Sequence, residues 1–150
     1  MHRRSLLLAA AALPLASLPA FAAQEEAIRI MKSPACGCCT AWADHLAAAG
    51  LETEVREVPD DQLWQMKEQL GITGELASCH TALAGAYVIE GHVPAADIRR
   101  LLAERPDALG LTVPGMPVGS PGMEMGEERE AFDTLLIKPD GRTEVFASHG

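Results

Sequence analysis

Two periodicities of hydrophobic and polar residues divide the chain into short strands and amphipathic helices. Apolar and β-branched residues, alternating with polar ones or in short runs, predict four strands, at residues 27–32, 51–58, 81–83 and 87–90. Apolar residues at helical spacing predict three helices, which begin near Cys38, after Pro59 and at Pro94. Near the C-terminus, residues 134–137 and 143–146 flank the turn Pro139-Asp140-Gly141 and predict a hairpin.

The order of these elements (strand, helix, strand, helix, hairpin, helix) is typical of a thioredoxin-like domain. We therefore predict an α/β fold, a thioredoxin-like β-α-β-α-β-β-α arrangement with an added C-terminal β-hairpin. A right-handed crossover through the first helix makes the first two strands parallel.

The stretch from residue 106 to residue 130 interrupts this pattern. It contains four prolines and five glycines, a composition that predicts a loop without regular structure. Loops of this length in a compact domain are usually functional or disordered. This one carries Met116, Met123 and Met125 where no helix or strand face is predicted to bury them.

The N-terminus has the features of an export signal. A basic start with Arg3 and Arg4 precedes the apolar residues 5–18, and Ala20-Phe21-Ala22 has the small-x-small form of a cleavage site. We predict a signal peptide at residues 1–22 and a thioredoxin-like metal-binding domain at residues 23–150. The expected location is the bacterial periplasm, reached through the Sec route rather than the twin-arginine route. Thiols in that compartment are normally oxidised to disulfides unless a bound group protects them.

Composition narrows the class of protein. The chain has 150 residues, 48% hydrophobic and 22% charged, which suits one domain with a core. The formal net charge of -9 argues against a nucleic-acid partner, because phosphates attract the opposite sign. Four cysteines are too few for a disulfide-dense scaffold. No apolar run reaches the roughly 20 residues of a membrane-spanning helix.

Cysteine is the main chemical signal. Cys36-Gly37-Cys38-Cys39 lies between the first predicted strand and the first predicted helix. The N-terminus of a helix favours thiolate over thiol, and thiolate is both a nucleophile and a soft metal ligand. A plain stabilising disulfide, most simply between Cys36 and Cys39, is the alternative. In a thioredoxin-like domain the segment before the third strand packs against this turn, so Cys79 is expected beside it.

Methionine suggests which metal such a site would hold. Met66 and Met31 fit packing positions in a helix and a strand, whereas the three loop methionines do not. A thioether is a soft neutral donor, and thiolates combined with thioethers select Cu(I) over Zn(II). Met123 and Met125 have an M-x-M spacing that places both sulfurs on one side of an extended segment. We therefore predict Met116, Met123 and Met125 as ligands.

The histidines give weaker signals. His80 follows Cys79 and is a further candidate ligand, while His92, just before the helix at Pro94, fits an ordinary turn residue better than a site residue. His45 is on the same predicted helix face as Cys38 but about 10 Å along it, too far to share a mononuclear site. His149, next to the C-terminus, is expected in solvent.

Four stretches resemble the exported copper-tolerance family known as CopG, a periplasmic family unrelated to the DNA-binding repressor of that name. They are residues 32–39 (KSPACGCC), 77–82 (ASCHTA), 87–94 (YVIEGHVP) and 113–125 (VPGMPVGSPGMEM). The resemblance implies a thioredoxin-like fold, copper bound through cysteines, and a part in copper handling that includes redox interconversion of copper. Carried over by motif, the implied site consists of Cys36, Cys38, Cys39, Cys79, Met116, Met123 and Met125.

The first functional hypothesis is a periplasmic protein for copper resistance or homeostasis that holds several Cu(I) ions, with other periplasmic copper-handling proteins as partners. The second is a copper or thiol–disulfide oxidoreductase in which Cys36 attacks as thiolate and Cys39 resolves. An iron–sulfur or zinc site built on the four cysteines is the third. It leaves unexplained the methionine loop, the proline- and glycine-rich segment that carries Met116, Met123 and Met125.

Overall fold

The structure, a computed structural model, describes residues 26–150. The predicted signal peptide at residues 1–22 lies outside the described residues. Within residues 26–150, none of the helices combines the length and the apolar character needed to cross a bilayer.

Seven strands and three helices make up the described chain, which confirms the predicted α/β class. The strands are β1 (Ile28–Lys32), β2 (Thr53–Glu57), β3 (His80–Ala84), β4 (Tyr87–Gly91), β5 (Gly110–Val113), β6 (Phe132–Ile137) and β7 (Thr143–His149). The helices are α1 (Gly37–Ala48), α2 (Asp60–Gln69) and α3 (Ala95–Glu104). Up to α3 the elements follow the predicted order, and the predicted C-terminal hairpin is β6–β7.

All seven strands form one sheet in the order β2-β1-β3-β4-β5-β6-β7. β1 pairs in parallel with β2, as predicted, and antiparallel with β3. β4 pairs in parallel with β5, and β5, β6 and β7 continue as antiparallel neighbours. In the β1–β3 pair, Lys32 is opposite His80. The end of β1 and the start of β3 therefore lie side by side, and this is the edge at which the cysteines meet.

The helices cover both faces of the sheet. The larger core cluster joins Trp42 of α1 and Ile98 of α3 to the strand residue Ile89, among others. A smaller cluster on the other face contains Val88 and also Ile72, which follows α2. Val88 and Ile89 are neighbours in β4 and point to opposite faces because side chains alternate along a strand. The sheet is therefore buried on both sides at its centre.

The prediction of a loop without regular structure over residues 106–130 was wrong at residues 110–113, which form β5. Leu111, Thr112 and Val113 are fully buried between β4 and β6. A Cβ on Gly110 would lie 1.7 Å from the Val88 carbonyl oxygen, so glycine is required for this close approach. The glycine that suggested a break therefore belongs to a central strand, and the loop proper begins at Pro114.

Candidate metal centre

The three clustered cysteines lie where β1 passes into α1. Cys36 is the N-cap residue of α1, with extended backbone geometry and no side-chain cap hydrogen bond. Cys38 and Cys39 occupy the first turn of the helix. Because β1 and β3 pair through Lys32 and His80, the residue just before β3, Cys79, reaches the same place. Strand pairing thus joins two parts of the chain that are 41 positions apart at Cys38 and Cys79.

The four sulfur atoms form one compact group, called here the cysteine cluster (Cys36, Cys38, Cys39 and Cys79). Every pair of these sulfurs is within 4.8 Å, close enough to hold a metal ion. Cys36 and Cys39 form a disulfide, while Cys38 and Cys79 are free thiols. The Cys38 sulfur lies 3.5 Å from that of Cys36 and 3.7 Å from that of Cys79. In this oxidation state two thiols are available, and reduction of the disulfide makes four.

Electrostatics at the cluster favour a bound cation. Burial and the neighbouring Cys38 sulfur raise the pKa of the Cys79 thiol to about 12. Both effects penalise negative charge on the Cys79 sulfur, and a metal ion between the sulfurs would reverse the penalty. The first turn of α1 adds positive potential at Cys38, because its backbone N–H groups lack partners within the helix. The cluster is therefore suited to thiolates in the presence of a soft cation and to thiols in its absence.

Two buried histidines face the Cys79 sulfur. His92 Nδ1 donates to the Pro121 carbonyl at 2.7 Å, and His92 Nε2 lies 3.1 Å from the Cys79 sulfur. Because Nδ1 is the donor, a neutral His92 directs the lone pair of Nε2 at Cys79. His80 Nδ1 lies 3.3 Å from the same sulfur. Burial lowers the pKa of both imidazoles, which keeps them neutral and able to act as metal ligands.

The methionine loop is folded against the cysteine cluster. Gly115 N–H donates to the Ala77 carbonyl at 3.1 Å, two residues before Cys79. Further along, Gly122 packs on the start of α1, where a Cβ at this position would lie 2.7 Å from the Cys38 carbonyl oxygen. Met123 is half-buried, whereas the side chains of Met116 and Met125 are 51% and 68% exposed. The loop backbone thus adjoins the cluster at two points, and ligation by its thioethers stays a prediction.

Known proteins provide an independent comparison. The family model described as "Protein of unknown function, DUF411" matches residues 76–123. Among solved structures, "Copper resistance protein copG- Form 2" is 41% identical with a TM-score of 0.77, over 83% of this chain and 98% of that chain. "Copper resistance protein copG- Form 1" is 40% identical with a TM-score of 0.77, over 84% of this chain and 98% of that chain. No curated protein matches the chain.

The chain belongs to the CopG family. The resemblance seen in the four sequence stretches is confirmed by similarity that extends across most of the chain. The family model matches a segment that includes Cys79, both buried histidines and the loop as far as Met123, but it does not reach Cys36. The sulfurs of the two segments meet only in the folded chain.

His92, which the sequence pattern favoured less as a site residue, lies against the cysteine cluster in this CopG-family protein. It follows β4 in a turn, as expected, but its side chain is fully buried and contacts Cys79. Its position directly after β4 was the available signal, since β4 pairs with the strand that follows Cys79. His45, as expected, lies outside the cysteine cluster, and its Nε2 accepts a hydrogen bond from Ala95 N–H at the start of α3.

Proposed function

We propose that this protein binds copper as Cu(I) and serves copper resistance or homeostasis. The observation that carries the proposal is the convergence of four cysteine sulfurs within 4.8 Å. Similarity to proteins titled copper resistance protein supports copper as the metal. Soft sulfur donors favour Cu(I) over harder divalent ions.

We further propose that several Cu(I) ions share the cysteine cluster. Four thiolates carry more negative charge than one monovalent ion can balance, and bridging sulfurs allow several ions to be held together. Met116, Met123 and Met125 then complete the coordination without adding charge. His80 and His92 are nitrogen donors at the Cys79 end of the cluster, where both imidazoles are neutral.

A redox role is the second candidate, and the Cys36–Cys39 disulfide favours it. Two Cu(II) ions would each accept one electron while the two thiols of Cys36 and Cys39 lose their protons to solvent and form the disulfide. The products are two Cu(I) ions and one disulfide, so atoms and electrons balance. In thiol–disulfide exchange without copper, Cys36 would instead attack a substrate disulfide and Cys39 would resolve the mixed disulfide.

The proposed setting is the periplasm, after export by the signal peptide at residues 1–22, with other copper-handling proteins as exchange partners. The proposed fold is the thioredoxin-like arrangement for the elements from β1 to α3, with β5 and the β6–β7 hairpin added. The turn before α1 is the place where such a domain carries its reactive thiols, which is consistent with a redox role for Cys36 and Cys39.

Copper binding is tested by titrating the reduced protein with Cu(I), and separately with Zn(II), against a competing chelator. We expect more than one tightly held copper per chain, weak zinc binding, and a lower copper count when the Cys36–Cys39 disulfide is intact. Joint substitution of Met116, Met123 and Met125 by leucine should lower the copper count. Tight zinc combined with weak copper would contradict the proposal.

Turnover separates copper handling from plain disulfide exchange. We expect the reduced protein to convert Cu(II) to Cu(I) with formation of one disulfide for every two copper ions, and we expect this stoichiometry to disappear in Cys39→Ser. Metal-free turnover of a disulfide substrate that survives Cys38→Ser would instead support the thiol oxidoreductase.

A further inference from the structure

A charged network is buried on the sheet face opposite Trp42. Lys67 of α2 and Glu90 of β4 are 1% and 0% exposed, and Lys67 Nζ lies 2.5 Å from Glu90 Oε1. Lys67 Nζ also donates to Thr81 Oγ1 at 2.8 Å, and that hydroxyl donates to Glu90 Oε2 at 2.7 Å. Lys67, Thr81 and Glu90 are called here the Lys67 network. Every member is fully buried, so the network is not a surface ion pair.

The Lys67 network reaches the cysteine cluster through Ser78. Glu90 Oε1 accepts a second hydrogen bond, from Ser78 N–H at 2.6 Å, and Ser78 is the residue directly before Cys79. The Ser78 hydroxyl donates in turn to the Gly115 carbonyl, directly before Met116. One carboxylate therefore holds the backbone that carries Cys79, and the Ser78 side chain holds the start of the methionine loop.

Stability by itself does not account for such a network. A buried ion pair loses so much hydration that well-packed apolar residues of the same volume often stabilise a protein as much or more. A carboxylate has a property that an apolar group lacks, because its two oxygens accept several donors in fixed directions. At Glu90 those donors are a helix lysine, a strand hydroxyl and the amide of the turn before Cys79.

We propose that the Lys67 network positions Cys79 and the start of the methionine loop before copper arrives. This inference rests on the proposed function, because copper is the ion for which the sulfurs are held. Donors that are already ordered bind more tightly, since less conformational freedom is lost on binding. Groups that orient the ligands of a metal typically contribute 10–100-fold to its affinity. Lys67, Thr81 and Glu90 are therefore positioning residues that do not touch the metal.

The chain contains a close control for this network. Thr134 of β6 is also fully buried and donates to a buried carboxylate, that of Asp97, at 2.7 Å. Thr81→Val and Thr134→Val thus each remove a threonine hydroxyl that donates to a buried carboxylate. Thr81 is two residues after Cys79, whereas Thr134 is in the hairpin. Each hydroxyl also contacts a second group, Lys67 Nζ at Thr81 and His149 Nε2 at Thr134, so a general loss of stability is expected in both variants.

The experiment compares Cu(I) release from the wild-type protein, Thr81→Val and Thr134→Val to a chelator, with thermal unfolding of each. We expect Thr81→Val to release copper about 10- to 100-fold faster than wild type and Thr134→Val to release it at the wild-type rate. Thr81→Ser keeps the hydroxyl and should restore slow release. If Thr81→Val does not fold, Glu90→Gln provides the second variant, because an amide offers one acceptor oxygen where the carboxylate offers two.

Amide hydrogen exchange of residues 77–79 in the metal-free proteins gives a readout that needs no copper. Exchange should accelerate in Thr81→Val and stay unchanged in Thr134→Val. If wild type holds no copper, the proposed function fails, while the exchange data still decide whether the network orders the turn. Equal copper release by Thr81→Val and Thr134→Val, or unchanged exchange at residues 77–79 in Thr81→Val, overturns the inference.

Discussion

The cysteine cluster and a second polar cluster, in the hairpin region, differ in how completely their polar atoms are paired. The hairpin cluster (Asp97, Thr134 and His149) joins α3 to the β6–β7 hairpin. Asp97 Oδ2 accepts from Thr134 Oγ1 at 2.7 Å and lies 2.8 Å from His149 Nε2. The expectation that His149 lies in solvent was wrong, because this contact and stacking on Phe132 cover much of the ring. Within residues 26–150 the hairpin cluster leaves no buried side-chain nitrogen or oxygen unpaired.

The surroundings of the cysteine cluster differ because a polar atom of the adjoining His80 is unpaired. His80 Nε2 is buried without a hydrogen-bond partner among the described residues. Cys38 and Cys79 are free thiols, and thiols are weak hydrogen-bonding groups. Buried polar groups normally find partners, and an exception indicates strain or a role in binding. A cluster whose polar atoms all have hydrogen-bond partners stabilises the fold. Free thiols beside an unpaired imidazole nitrogen are instead suited to binding a metal ion.

Removing a sulfur from the cysteine cluster is the strongest way to test the contrast. We expect Cys79→Ser to lower Cu(I) affinity by at least about 100-fold, because it removes a ligand and not only a group that orients one. Affinity is measured by competition with a chelator. Asp97→Asn in the hairpin cluster is the control and should leave the affinity unchanged. A similar loss in both variants would remove the distinction between the clusters.

Moving the methionine loop off α1 tests whether the loop belongs to the site. Gly122 and Gly126 both have positive φ, at +85° and +77°, but only Gly122 contacts α1. Alanine at either position carries roughly 1–2 kcal/mol of backbone strain. Gly122→Ala also forces the loop away from Cys38 and should weaken copper binding roughly tenfold. Gly126→Ala should lose stability alone, so equal copper binding by the two variants would contradict a role for the loop.

The stability of the metal-free protein should depend on pH through His80 and His92. Burial lowers the pKa of both side chains in the folded state, so the unfolded state takes up more protons below about pH 6.5. Stability should therefore be present above about pH 6.5 and fall below it, by up to about 1.4 kcal/mol per pH unit for each histidine.

Urea unfolding at about pH 7.5 and about pH 5.5 measures the slope of stability with pH. The substitution His80→Phe removes one titrating group and keeps a ring against Trp42, whose centroid is 4.3 Å from that of His80. This variant should show a shallower slope. A slope equal to that of wild type would mean that the acid sensitivity arises elsewhere.

The smallest expected effect concerns the surface of the hairpin. Lys138 and Glu144 form an ion pair at 2.6 Å, but their side chains are 32% and 54% exposed. Exposed pairs contribute at most about 1 kcal/mol. We expect Lys138→Gln to change stability by less than that and to leave copper binding unaltered, as measured by urea unfolding and chelator competition. A change in copper binding would show that the two regions are coupled.

Much of this protein could be predicted from its sequence, because the relevant signals are local. Hydrophobic periodicity and the turn residues identified the elements from β1 to α3 and the hairpin. The spacing of Cys36, Cys38 and Cys39 after a strand predicted the candidate metal centre. Cys79 was placed beside it by reasoning from topology, and the structure brings its sulfur within 3.7 Å of Cys38.

The rest was decided by pairing between distant strands, which one sequence does not display as a pattern. β5 was hidden because its glycine and flanking prolines suggest a loop, whereas a close approach to Val88 requires that glycine. His92 reaches Cys79 only because β4 pairs with β3. Lys67 meets Glu90 only because α2 packs on the sheet, and nothing in the local sequence pairs these two residues. Local periodicity thus determined the helices and strands, and the cysteine motif determined the thiol chemistry. Tertiary packing determined which atoms surround the sulfurs, because such contacts depend on the register of the whole sheet.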